Sequence, residues 1–379
     1  MTRPTRIVPR RGSCWPNDTQ TLLLRAALLE PGAASEAFAR WCARVDWDTL
    51  DSGSTRLLPL LAHNLAKLDD PLITRARGVL RHAWSRNQRL FHRTAPALRA
   101  LQAEGVPVML LKGAALVART YRHAGLRTMN DLDVLVPLEA ASRARHCLAI
   151  LGWRPTYFVR EGQLPHLHAI GLGDGSGAEI DLHWHAVFEC RRPGDDKAFW
   201  DSMQPASHAG LSVLVPSATD LVLQVATHGL RWSDSPPIHW AADLVWLLRT
   251  AQDEVDWERL VERARTASLT LQLRLALTYV AEEFAAPVPA RALAVLATQR
   301  VRVGERLELR LRSAPPALLR GLLLHWFDYR RLVPGGIGRR LMGFPYYLRT
   351  IWEAPSLAHL PATALRKVVS RLRERPRLG

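Results

Sequence analysis

Apolar positions recur at three- and four-residue spacing through the first hundred residues of this chain, the mark of helices with one buried face. The spacing predicts helices over Thr21–Leu29, Ala34–Val45 and Arg56–Leu68, and a long one over Leu72–Glu104 that Gly105 closes. Pro31-Gly32 separates the first two. The pattern then changes. Val106–Leu111 is a short, unbroken apolar run, the sign of a buried strand. Ala114–His123 is helical, Asp131–Val136 reads as a strand, and Leu138–Leu151 reads as a helix ended by Gly152. Arg154–Val159 and His166–Gly171 read as strands. The glycine-rich run Gly171–Gly177 joins the second of these to Ala178–His185 as a hairpin. Val213–Val215 is a last strand stopped by Pro216, and Ser217 caps a helix over Asp220–His228. Helical patterns follow over Trp240–Arg249, Trp257–Ala267 and Leu269–Phe284. Glu305–Arg312 alternates leucine with charge, which leaves strand and helix both open. The expected organisation is an unstructured leader (1–17), a helical cap (18–104), a sheet-bearing core (105–216), a helical subdomain (217–288) and a C-terminal region (289–379).

Charge changes this picture in one place. The chain of 379 residues carries a formal net charge of +16. Residues 290–379 hold 18 Lys/Arg against 5 Asp/Glu, and residues 1–12 add four arginines. The stretch between is close to neutral, so basicity belongs to the two ends. Seven aromatics (Trp326, Phe327, Tyr329, Phe344, Tyr346, Tyr347, Trp352) lie among the C-terminal arginines. Such a tail suits RNA, an anionic membrane surface, or a solvated face with no partner. The four cysteines lie far apart with no C-x-x-C, which argues against a disulfide framework and fits a reducing cytoplasm. The first residues lack the apolar stretch of a secretory signal, and no apolar run reaches the roughly 18 to 20 residues of a membrane span. A cytoplasmic protein, with peripheral membrane contact as an option, is expected.

Candidate chemistry gathers between Val106 and His185. Along a strand, Asp131 and Asp133 project from one face. Lys112-Gly113 lies at a strand-to-helix turn, where free N–H groups face outward and glycine lets a phosphate approach closely. Lys112 adds a point charge. In Glu179-Ile-Asp181-Leu-His183-Trp-His185, period 2 puts the carboxylates and both histidines on one face. Asp181 is the expected third metal ligand and the group that deprotonates or orients an acceptor hydroxyl. His183 is expected to support the ligands. Zinc at His183-x-His185 is disfavoured, because further His or Cys ligands at fitting spacing are missing. There is no G-x-x-x-x-G-K-[ST] motif, so a P-loop is excluded.

With these residues in hand, the chain resembles the polymerase-β-type nucleotidyltransferases. Within them it resembles the bacterial family called uncharacterised nucleotidyltransferase. The resemblance rests on Leu110-Leu-Lys-Gly-Ala-Ala-Leu116, Tyr121, Arg127 and Asn130-Asp-Leu-Asp-Val-Leu-Val136. It continues through Leu151-Gly-Trp153, Glu179-Ile-Asp-Leu-His-Trp184, Val215-Pro-Ser217, His228-Gly229, Trp240 and Asp243-Leu244. It implies an α+β fold, a small mixed sheet carrying the carboxylates with helical regions before and after it. It implies metal binding by Asp131, Asp133 and Asp181, with magnesium expected and manganese as the alternative. It also implies an NTP co-substrate, with ATP the first expectation, contacts from Lys112 and Gly113, and Arg127 near the phosphates or bracing the loop. The wider superfamily has glycine where Lys112 stands and a hydroxyl residue where Ala114 stands. His228, His239, Trp240 and Asp243 are candidates for an acceptor cleft, or for plain helix packing.

The leading expectation is magnesium-dependent transfer of a nucleoside monophosphate to a hydroxyl on a small molecule, sugar or natural-product peptide. An RNA- or tRNA-modifying toxin is the second, and a membrane-surface or nucleotide-binding module without catalysis is the third. Phosphoryl transfer stays open beside nucleotidyl transfer, since both use the same metal clamp.

Overall fold

The computed structural model describes residues 14–233, 237–315 and 317–373. Residues 1–13 of the expected leader lie outside these. A seven-stranded mixed sheet stands at the centre. Its strands are β1 (Met109–Leu110), β2 (Leu132–Leu135), β3 (Arg154–Pro155), β4 (Ala169–Gly173), β5 (Glu179–His183), β6 (Gln204–His208) and β7 (Leu211–Val215). Their order is β3-β4-β5-β2-β1-β7-β6. β2 runs parallel to β5 and antiparallel to β1, and β1 runs parallel to β7. β4–β5 and β6–β7 are antiparallel hairpins, as the glycine-rich turn predicted for the first. The architecture is α+β, with helical regions before and after the sheet.

The long helix spans Pro71–Ala103. Asp70 caps it by accepting from the Leu72 N–H at 2.7 Å, and Pro71 suits a first-turn position where no N–H partner is needed. Its buried stripe includes Ala83, Asn87, Leu90, Thr94, Leu98 and Leu101. β2 is buried along its whole length, which is why its pattern is a run of apolar residues broken only by Asp133.

One apolar core extends from Cys14 to Leu296. The N-terminal helices, the sheet and the helical subdomain all contribute to it, so the three regions separated by pattern pack as one body. Cys14 is buried, and Trp15 stacks edge-on against Trp240 and Tyr279. The end of the expected leader is therefore part of this packing.

The C-terminal region forms a satellite core around Tyr329, Tyr347 and Leu348. Its Leu/charge alternation resolves as helix, Val303–Arg312, whose inward face carries Glu305 and Glu308. Buried ion pairs join it to the main body. Glu189 pairs with Arg231 and Arg312, Glu308 with Arg312 and Arg331, and Asp328 with Arg191 and Arg312. The Phe188 ring sits beneath three guanidinium groups, from Arg191, Arg231 and Arg312, at 4.4–5.0 Å. Part of the C-terminal basicity is thus spent inside the protein. Among the described residues, no helix is long and apolar enough to cross a membrane.

Candidate active site

The parallel pairing of β2 with β5 sets Asp133 directly opposite Asp181 and Leu135 opposite His183. Two strands far apart in sequence thereby place two carboxylates and an imidazole on one patch of sheet. Nε2 of His183 lies 3.1 Å from Asp133 Oδ1 and 2.9 Å from Asp181 Oδ2. One ligand atom from each of these three residues falls within 4.8 Å of the others. That grouping fits a divalent cation: two hard oxygen donors and one imidazole nitrogen converge from rigid strands. Asp131 is outside this group. It lies one residue before β2, lining the adjoining cleft.

Lys112 faces the same patch. Its ammonium donates to Asp133 Oδ1 at 2.6 Å and lies 3.8 Å from Asp181 Oδ2. Burial opposes its charge, but the carboxylates outweigh this and hold its pKa above the ordinary value. Burial also opposes ionisation of Asp133 and Asp181. Lys112 and His183 outweigh it at Asp133, and His183 followed by Lys112 outweighs it at Asp181, so both carboxyls titrate below their usual range. Asp131 behaves in the opposite way. Burial first, and the charge of Asp133 second, push it up to about 6. Neighbouring carboxyls thus divide into two that stay ionised and one that titrates near neutrality.

The turn that positions Lys112 is strained. Lys112 has φ +46°, a left-handed conformation that glycine adopts freely and other residues adopt at a cost of about 1 kcal/mol or more. This is the position where the wider superfamily has glycine. Gln224 stabilises the turn from the helix Ala218–Gly229: its Oε1 accepts from the Lys112 N–H at 3.1 Å, and its Nε2 donates to the Ala186 carbonyl at 2.9 Å. Gly113 packs against Met129. A Cβ there would lie 3.0 Å from Met129 Cγ, so the glycine lets the loop before β2 come close.

Arg127 is buried, and its Nε donates to both carboxylate oxygens of Asp243, at 2.8 and 3.0 Å. The Tyr121 hydroxyl donates to the same carboxylate at 2.8 Å. Asn87 ties down the stretch from the other side. Its Nδ2 donates to the Arg127 carbonyl at 2.7 Å, and its Oδ1 accepts from the Met129 N–H at 3.2 Å.

A cleft of about 260 Å³ opens beside these groups. Lys112, Gly113, Arg127, Asp131 and Asp133 line it, and so do His228, His239, Trp240 and Asp243. The helical subdomain therefore faces the carboxylates. Arg56 also reaches the cleft, from the N-terminal helical cap. It donates to Thr128 Oγ1 at 3.2 Å, and its pKa is lowered to about 10, by burial and then by Arg127. His185 turns elsewhere: Nδ1 pairs with Asp196 Oδ2 at 2.6 Å.

Asn87, Gln224 and Arg56 were not singled out in the sequence. A lone asparagine within the Ala83–Leu101 buried stripe is a readable signal. Gln224, a polar residue in an apolar helix, is a weaker one, and Arg56 leaves none.

The model of the family described as uncharacterised nucleotidyltransferase matches residues 44–285. The chain belongs to this family. The match spans the later part of the cap, the sheet and nearly all of the helical subdomain, the same segments that build the cleft. It makes the protein a nucleotidyltransferase, an enzyme that transfers a nucleoside monophosphate. Comparison with curated proteins finds none that matches. Among solved structures, a similar one is titled as the solution structure of the antibiotic-resistance factor ANT(2'')-Ia. It is 16% identical, covers 53% of this chain and 95% of that chain, and has a TM-score of 0.32, a likeness too distant to assign a substrate.

Proposed function

We propose that this nucleotidyltransferase moves a nucleoside monophosphate from an NTP, with ATP the first candidate, to a hydroxyl on a small-molecule, sugar or peptide acceptor, and that it needs magnesium. The observation that carries the reading is the convergence of Asp133, Asp181, His183 and Lys112 on one patch of sheet beside a cleft that Asp131 lines. In this reading Asp131, Asp133 and Asp181 hold the ion, with His183 as a further donor that favours manganese as the substitute. A divalent ion held there would neutralise phosphate charge as the transfer proceeds.

The chain's own groups do the rest. Lys112 and the Gly113 turn hold the phosphates. Asp181, kept ionised by His183 and Lys112, orients the acceptor hydroxyl and takes its proton. The acceptor oxygen bonds to the α-phosphorus as the bond to the leaving pyrophosphate breaks. Arg127 braces the loop before β2, since its Nε is committed to Asp243. His228 and His239 face the cleft from the helical subdomain, on the side open to an acceptor.

The test is transfer from each of four nucleoside triphosphates, labelled at the α- or γ-phosphate, into fractions of small molecules, peptides and RNA. Magnesium-dependent label from the α-phosphate in the small-molecule or peptide fraction is the expected result. Label from the γ-phosphate alone makes the protein a phosphoryl transferase, and label confined to RNA moves the acceptor to the nucleic-acid class.

A further inference from the structure

A second cavity, of about 730 Å³, lies between the main body and the C-terminal helices. Its walls come from the stretch after β5 (Val187 to Ala198), the helix Trp257–Ala267, and the helices Val303–Arg312, Leu318–Leu332 and Ile337–Trp352. It shares one element with the catalytic cleft. Leu223 of the helix Ala218–Gly229 lines the second cavity, and Gln224 lines the first.

Both signs of charge line this cavity, but they are not equally available. Every acidic group on its walls already has a partner. Glu189 and Glu308 are held by buried arginines, Asp201 pairs with Lys197, and Glu262 pairs with Arg265. Asp195 accepts from the Arg192 N–H, and Glu305 accepts from the Leu271 N–H. Four guanidinium groups on these walls lack an acidic partner among the described residues, and one of them, Arg192, is already committed to the Arg330 and Arg331 carbonyls, which leaves three. Among the described residues, Arg302 has no acidic partner. Arg330 rests over the Phe327 ring at 5.1 Å, and Arg340 donates only its Nε, to the Val333 carbonyl.

These three come from different helices and converge. Burial lowers the pKa of Arg330; the charge of Glu308 opposes this, and the like charges of Arg331, Arg340 and Arg302 add to the lowering. Like charges crowded into a cavity cost stability unless an anion relieves them. Arg302 is also the N-cap residue of Val303–Arg312 and makes no side-chain cap, so that helix end opens at the same wall, where the first-turn carboxylate of Glu305 is held by the Leu271 N–H. Guanidinium forks match phosphate oxygens in pairs, and the volume suits a nucleotide-sized ligand.

We infer that this cavity is a second anion site, which takes the phosphate chain of a small di- or triphosphate compound on Arg302, Arg330 and Arg340. The bound anion ties three C-terminal helices together against the main body. The site does not depend on the catalytic reading, because none of these arginines lines the catalytic cleft.

The test uses inorganic tripolyphosphate and the full chain without divalent metal, followed by calorimetry. The expected result is a binding site that Arg330→Ala/Arg340→Ala weakens about tenfold or more, the loss of a charge-assisted contact. Lys112→Ala, in the catalytic cleft, leaves that site intact. Arg302→Ala changes an exposed side chain with little risk to folding, and it weakens binding several-fold. Overturning results are no binding at all, binding indifferent to Arg302→Ala, or binding lost in Lys112→Ala but kept in the arginine variants. RNA binding with the same arginine dependence, with no response to tripolyphosphate, also overturns it in favour of a nucleic-acid surface.

Discussion

The ammonium of Lys112 lies between the carboxylates of Asp133 and Asp181, 2.6 Å from one and 3.8 Å from the other. A lysine there neutralises the space that a divalent ion needs. At an effective dielectric of about 20, unit charges 4 Å apart interact by about 4 kcal/mol. Replacing Lys112 by methionine should therefore raise the affinity for manganese without nucleotide at least about tenfold, while transfer falls. Manganese titration of the two proteins decides it. Unchanged or weaker binding in the variant would mean that Lys112 and the ion do not compete.

Asp131 stands apart from its neighbours. Its carboxyl is pushed up to about 6, so its charge is opposed by its surroundings. Asp131→Asn removes that opposition and should leave the melting temperature unchanged or slightly raised, while metal-dependent transfer drops to background. A fully active variant removes Asp131 from the site.

The buried pair Arg127–Asp243 predicts a coupled energetic effect. Removing one partner of such a pair costs roughly 3–5 kcal/mol, because the other charge is left uncompensated. Asp243→Ala should therefore destabilise the protein by about that much. Arg127→Ala together with Asp243→Ala should cost less than the sum of the singles. Denaturant unfolding of the four proteins closes the cycle, and additive losses would deny the pair any coupling.

His208 predicts an acid limit to stability. Burial lowers its pKa to about 4, and its ring is packed edge-on against Phe91. The folded form keeps the ring neutral. Below the ordinary value of about 6.5 the unfolded chain takes the proton first, so stability falls as pH drops from there to about 4. The full loss from this one group is about 3 kcal/mol. His208→Gln should flatten that part of the pH profile of thermal unfolding. A slope as steep in the variant as in the parent would assign it to other groups.

Part of the candidate site is legible in the sequence because strand alternation puts Asp181 and His183 on one face, although Asp131 lies before β2 and not within it. Asp131, Asp133 and Asp181 mark themselves by breaking apolar runs, and Lys112-Gly113 marks a turn. What alternation cannot supply is register. That Asp133 faces Asp181, with His183 bonded to both, depends on pairing between segments nearly fifty residues apart. Elsewhere the pattern misled for physical reasons. Val106–Leu111 is shorter as a strand, Met109–Leu110 with single hydrogen bonds at Val108 and Leu111 on either side, because the Val106 N–H is taken by the Leu101 carbonyl at the helix end and Pro107 has none to give. β6 is a polar edge strand containing Pro205, which an edge tolerates and a hydrophobic reading overlooks. Val303–Arg312 hides its helical period because its buried face carries Glu305 and Glu308.

The contact of Trp240 with Cys14 reaches further than its single bond. The indole N–H donates to the Cys14 carbonyl at 3.0 Å, and Trp240 lies so close over Gly229 that a Cβ there would overlap its ring. A shortened chain starting at the first helix, Asp18–Leu28, would look harmless by composition. It would strip away Trp15 and the only acceptor that the described residues give that indole, loosening one side of a ring that lines the cleft with His228. The stretch that looks dispensable thus ends in a wedge behind a cleft-wall residue, and trimming it would act on the cleft through Trp240.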